Sequence, residues 1–112
     1  EAGQAAATRL LAAGITAMIC ASDPIALGAV RAVRRAGLRV PEDVSVIGFD
    51  DSALMNCVEP PLTTVRQPIE TMGRMVIELL VSQINGTASA PDEFLFEPEL
   101  VVRGSTGPAL AQ

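Results

Sequence analysis

The sequence has no histidine, lysine, tryptophan or tyrosine, and all eight basic residues are arginine. Without histidine, Ser-His-Asp and Cys-His catalysis and most zinc sites are excluded. Without lysine there is no P-loop lysine, no Schiff-base chemistry and no phosphoryl-lysine arrangement. Cys20 and Cys57 are too few and too far apart for a metal cluster, and a reduced pair is the simplest reading. No apolar run reaches the roughly 18 residues that a membrane span needs. No basic segment followed by an apolar stretch marks a secretory leader. The chain opens on Glu1 rather than methionine, so a processed or trimmed product is expected. Three aromatic residues and a net charge of −5 do not make a nucleic-acid surface, and this stretch is expected not to touch DNA or RNA itself.

What remains is a globular composition. The 112 residues are 49% hydrophobic and 19% charged, one domain or a piece of a larger one. A mean hydropathy of +0.38 is high for an acidic chain of this size and points to apolar surface covered by chain outside this stretch. Residues 4–13 are rich in Ala and Leu and stop at Gly14, a helix with a glycine after it. Residues 16–21 form an apolar run of strand length, followed by Ser22-Asp23-Pro24, a helix start. Ala26, Ala29, Val30 and Val33 then repeat at helical spacing through residues 24–36. Arg31, Arg34 and Arg35 fall mostly off that stripe, on a solvated face.

Pro41-Glu42-Asp43 is a turn, and residues 44–49 are a nearly continuous apolar strand of the kind buried on both faces of a parallel sheet. Strand, helix and strand in about 35 residues make a βαβ unit. A short helix at 52–56, a rigid turn at Glu59-Pro60-Pro61 and a short strand at 62–65 follow. Residues 68–84 form the longest helix, with Met72, Met75, Val76, Leu79 and Leu80 along one side. Residues 87–92 read as a loop, 94–96 and 100–103 as strands, and 104–112 as a frayed tail.

Ligands of parallel α/β sheets bind beyond the carboxyl ends of the strands. One such end carries Ser22-Asp23 and the other Asp50-Asp51, and both face one cleft if the strands are neighbours. Ionised carboxylates accept hydrogen bonds, often two at once, so this acceptor-rich cleft suits a polyol and suits an anion badly. Paired Asp residues could alternatively hold Mg²⁺, but the phospho-acceptor form of that site usually needs a lysine. Asp23 reads as a structural helix cap ahead of a ligand contact, and Asp51 as a cap of the short helix. Asp50 has no capping duty and is the candidate functional residue. The residues alone therefore describe an α/β piece with a polyol-friendly cleft, no catalytic residue, no metal site and no cofactor.

The wording of the chain adds a resemblance. The segment from Ala21 to Ala29, ASDPIALGA, resembles the strand-to-helix turn of the lactose/galactose repressor (LacI/GalR) family. GLRVPEDVSVIGFDD from Gly37 to Asp51, PLTTVRQP from Pro61 to Pro68 and LVVRGST from Leu100 to Thr106 resemble three further motifs of that family, in order. The resemblance implies a bacterial, cytoplasmic transcription regulator in which a helix-turn-helix head precedes a two-lobed effector domain. This chain would be an incomplete fragment of that domain, parallel-sheet βαβ units of a periplasmic-binding-protein-like (type I) fold. It implies that residues 1–62 are part of the C-terminal lobe, 63–67 an inter-lobe crossover, 68–98 a helix and strand of the N-terminal lobe, and 99–112 the return strand and tail.

The resemblance also implies roles residue by residue. Asp50 of the GFD motif would hydrogen-bond a small effector, expected to be a sugar, and Ser22 stands where many relatives place a ligand-contacting Asn. Gln67 would line the cleft. Ile69 stands where some members stack an aromatic on the ligand. Asp23 fits the cap better than a binding role. A homodimer is implied, with Leu27 and Val30 of the 24–36 helix and the Met55 and Val58 segment at the contact, local packing being the alternative for Met55 and Val58. Operator DNA would be held by the upstream head, with no membrane partner. A periplasmic sugar-binding protein of a transporter is the rival reading.

Overall fold

The structure, a computed structural model, describes residues 1–86 and 95–110. The Ala-rich start forms α1 (Ala2–Ala12), and a left-handed Gly14 releases the chain. β1 (Ala17–Ile19) leads into α2 (Asp23–Arg35), and β2 (Ser45–Ile47) pairs parallel with β1 in the register Ala17↔Ser45, Ile19↔Ile47. This is the expected βαβ unit. Beyond β2 the ladder passes to a third segment: Ile47 bridges Thr63 in parallel, and the Gly48 and Asp50 amides donate to the Thr63 and Val65 carbonyls at 2.9 Å. That segment continues as β3 (Thr64–Arg66), which forms a second two-stranded sheet with β4 (Glu99–Val101). Three parallel segments thus end side by side.

The four positions read as the apolar stripe of α2, Ala26, Ala29, Val30 and Val33, are all buried. They pack with Met18, Val44, Val46 and Leu62 in one core. α1 lies on α2 through a contact that only glycine permits. A Cβ on Gly3 would stand 2.5 Å from the Ile25 carbonyl oxygen, and one on Gly28 2.9 Å from the Gln4 amide nitrogen. The RVPED turn closes on itself, since the Asp43 carboxylate accepts from the Arg39 amide at 2.8 Å and from Arg39 Nε at 3.1 Å.

The chain divides into two compact units, Glu1–Arg66 with Leu100–Gln112, and Gln67–Glu99. The second consists chiefly of α3 (Ile69–Ile84), which buries none of its residues. Val76, Ile77, Leu80, Val81 and Ile84 all lie exposed. An amphipathic helix of 16 residues gains most of its stability from a packed apolar face, and this face is uncovered here. The loop expected at 87–92 and Phe94 of the strand expected at 94–96 lie outside the described residues, and Leu95 and Phe96 are not in a strand.

The tail is not frayed as composition suggested. Ser105 is fully buried. Its hydroxyl donates to the Val46 carbonyl at 2.6 Å and accepts from the Thr63 amide at 2.8 Å, while its own carbonyl accepts from the Val46 amide at 2.9 Å. Thr106 shares a 2.8 Å hydrogen bond with Thr63, and the Gly107 amide donates to Ser45 Oγ at 3.0 Å. A serine at this place stitches β2 to the segment before β3 with one hydroxyl. Ser105→Ala should cost about 1–3 kcal/mol in denaturant unfolding of the full-length protein, because it strands a buried donor and a buried acceptor. An unchanged midpoint would remove Ser105 from the account of the fold.

Candidate functional site

The carboxyl ends of β1, β2 and β3 converge on residues 20–23, 48–52 and 66. The key side chain is Asp23, which is 1% exposed. It is not the helix cap. Ser22 takes that position with extended backbone, and its Oγ accepts from the Ile25 amide at 3.4 Å. Asp23 is the first residue of α2, and its carboxylate turns inward. It accepts from the Phe49 amide at 3.0 Å, the Ser52 amide at 2.7 Å and the Thr64 hydroxyl at 3.1 Å, while its own amide donates to the Phe49 carbonyl at 3.1 Å. The ends of β1 and β2 and the first residue of β3 are therefore tied to one carboxylate at the amino end of a helix, where negative charge is favoured. A side chain on Gly48 would collide with that carboxylate and with Leu62, so the glycine of the GFD motif is the space Asp23 needs.

Held by this knot, Asp50 and Asp51 take left-handed backbone, with φ of 103° and 57°. Non-glycine residues in such conformations cost of order 1–3 kcal/mol and persist only when the surroundings fix them. Here the Asp50 amide donates to Val65 and the Asp51 amide to Thr64 Oγ1 at 3.3 Å. The strained turn leaves Asp50 exposed just past the end of β2. Ser22 uses one acceptor site on its helix, and a hydroxyl keeps a donor besides.

Asp51 does not cap the short 3-10 helix Ala53–Asn56, whose capping position is Ser52 without a side-chain bond. Its carboxylate is instead held by two arginines. Arg66 Nε donates to Oδ2 at 2.8 Å, and Arg103 Nη1 stands 2.8 Å from Oδ1. The guanidiniums, Arg103 first, hold the Asp51 carboxyl below the usual carboxylate range. Arg103 also donates to the Leu62 carbonyl at 3.0 Å.

Of the predicted ligand residues, Ser22 and Asp50 follow the carboxyl ends of the paired strands β1 and β2. Gln67 and Ile69 belong to the second unit, Gln67 as its first residue and Ile69 as the first residue of α3 with an exposed side chain. Of the predicted interface residues, Met55 is 4% exposed and packs into the chain's own core, which is the local-packing alternative. Val30 packs on the same core and also lines an open groove with the partly buried Leu27 and Val58 and with Arg31, Arg34 and Glu59. Thr64, Arg103 and Ser105 lie within the PLTTVRQP and LVVRGST motifs, but the sequence assigned them no individual role, because each acts on residues about forty or more positions away. Among the described residues, no group of three or more Cys, Asp and Glu side chains could hold a metal. No helix among them is long and apolar enough to cross a membrane.

The profile of the periplasmic binding protein-like domain matches residues 1–106. The chain belongs to that family. The helix-turn-helix-type transcriptional regulator MalR of Streptomyces coelicolor is 56% identical over 109 residues, 97% of this chain and 32% of its own length. The solved complex of the transcriptional regulator CelR with cellobiose superposes with a TM-score of 0.85 at 46% identity, over 92% of this chain and 32% of that one. The Lac repressor dimer bound to operator and the anti-inducer ONPF gives 0.82 at 39% identity, over 93% and 37%. The chain thus spans about a third of the length of the relatives it matches. The LacI/GalR resemblance read from its four motifs is borne out, as is the periplasmic-binding-protein-like fold.

Proposed function

We propose that this chain is the effector-sensing part of a bacterial LacI/GalR-type transcription regulator, and that its effector is a sugar. The observation that carries the reading is the exposed Asp50 carboxylate, set on a strained turn at the carboxyl edge of a parallel sheet. A fixed, ionised acceptor there matches adjacent hydroxyls, which can donate two hydrogen bonds to it. Ser22 supports it from the neighbouring strand end, and Gln67 and Ile69 complete the set in the whole domain. The solved CelR complex holds cellobiose, which favours a di- or monosaccharide for this chain too. No chemistry is done on the effector. Its binding shifts the balance between lobe arrangements, and operator affinity follows.

Residues 68–98 then belong to the N-terminal lobe, and the exposed apolar side of α3 is the face that lobe covers. The regulator works as a cytoplasmic homodimer, with Leu27 and Val58 at the rim of α2 in the contact, since two heads are needed to grip a two-fold operator. The Lac repressor dimer on its operator supports that arrangement. The test uses the full-length protein, titrated with cellobiose and a panel of mono- and disaccharides, with operator binding followed in parallel. Sugar should change operator affinity by roughly 5–150-fold. A protein that binds sugar and no DNA would instead be a transport receptor.

A further inference from the structure

We propose that Asp51 is a positioning residue that couples the effector carboxylate, Asp50, to the two strands by which the chain leaves and re-enters the first unit. The inference rests on the functional reading above and names the route by which that site is heard elsewhere. The two aspartates are consecutive, and both left-handed residues are anchored on the same segment, the Asp50 amide on the Val65 carbonyl and the Asp51 amide on Thr64 Oγ1. Asp50 is exposed at the end of β2. Asp51 faces inward, and only 11% of its side chain is exposed.

The partners of Asp51 are placed at the exits. Arg66 is the last residue of the first unit before Gln67, at the end of β3. Arg103 follows the return of the chain at Leu100, just beyond β4. One carboxylate holds both, at 2.8 Å on either oxygen. Arg103 is fixed further by its bond to the Leu62 carbonyl, and its amide donates to Thr63 Oγ1 at 2.8 Å, so it is tied to the segment that runs into β3. The Asp51 amide reaches the same segment through Thr64 Oγ1. Outgoing and incoming strands are therefore clasped to each other by the residue next to Asp50. A ligand that draws on the Asp50 carboxylate and shifts the 50–51 turn alters the clasp, and a two-state element biased from one site is what coupling requires.

A purely structural ion pair would lose stability when broken and leave the response alone. The experiment therefore compares wild type with Asp51→Asn, which keeps the shape and removes the charge, and with Arg66→Gln, which cuts only the more exposed half of the clasp and should fold normally. Amide hydrogen exchange over residues 62–66 and 100–105 is measured in the full-length protein with and without cellobiose. Without sugar, both variants should exchange faster over the two segments by about tenfold or more, with the rest of the core unchanged. With sugar, wild type should change protection there, and the variants should bind with affinity within about threefold of wild type but lose that change and the operator response. Unchanged sugar-free exchange in both variants overturns the clasp, as does a full operator response in Asp51→Asn. A wild type whose operator affinity neither cellobiose nor any panel sugar changes overturns the functional reading and with it the coupling, and the sugar-free comparison then still shows whether Asp51 clasps the two segments.

Discussion

Replacing Asp23 by alanine is expected to destabilise the full-length protein by about 3 kcal/mol, through the donors left without an acceptor. The carboxylate accepts from two amides and one hydroxyl, of residues Phe49, Ser52 and Thr64, and it is almost wholly buried. Alanine would leave the Thr64 hydroxyl unpaired in the core and the two amides unpaired in part-buried places, and each buried orphan costs about 1–3 kcal/mol. The damage should be directed as well as large. The two amides bracket the left-handed turn at 50–51, so the turn loses the anchors that hold its strain. Chemical denaturation should show the lost stability, and sugar binding should vanish even under conditions where the protein remains folded. Asp23→Asn keeps one acceptor oxygen and should fall between the two. Loss of less than about 1 kcal/mol in Asp23→Ala would mean that this knot does not hold the strand ends together.

That residue also marks where sequence reasoning stops. The βαβ order, the helix stripe and the parallel pairing were all legible, because they follow from local periodicity and from glycine and proline placement. Ser22-Asp23-Pro24 also marked the helix start correctly, but the two polar residues exchange duties. Local logic assigns the carboxylate to the helix because it sees only the next three residues. The Phe49 and Ser52 amides and the Thr64 hydroxyl, 26 to 41 positions away, compete for it and win. The same limit explains Ser105, which looks like part of a Gly-rich tail until β2 and the Thr63 amide are brought to it. Met55 and Val30 show another side of that limit: the resemblance implied an interface for them, and both pack into the chain's own core, a contact that local reading does not show. Asp50 is a proposed contact on two grounds: it had no capping duty in sequence, and the fold leaves it exposed.

The strain at that residue separates binding from stability in a way that two substitutions can read. Asp50→Ala removes the acceptor and keeps the left-handed backbone at φ 103°. Sugar affinity should fall by about ten- to a hundredfold, the loss of a hydrogen bond to a charged acceptor at roughly 1.5–3 kcal/mol. The fold should survive, because backbone amides and the Asp23 carboxylate anchor the turn. Asp50→Gly removes the same acceptor, so its sugar affinity should match that of the alanine variant. Glycine adopts positive φ freely, however, and its folded state should be the more stable of the two by about 1 kcal/mol once its looser unfolded chain is set against the relieved strain. Isothermal titration and denaturant midpoints on the two full-length variants give both comparisons. Equal weakening of sugar with the glycine variant more stable is the pattern expected of a residue held strained in order to present a carboxylate. Undiminished sugar affinity in either variant would dismiss Asp50 as the ligand contact, and a glycine variant less stable than the alanine one would show that the turn carries no such strain.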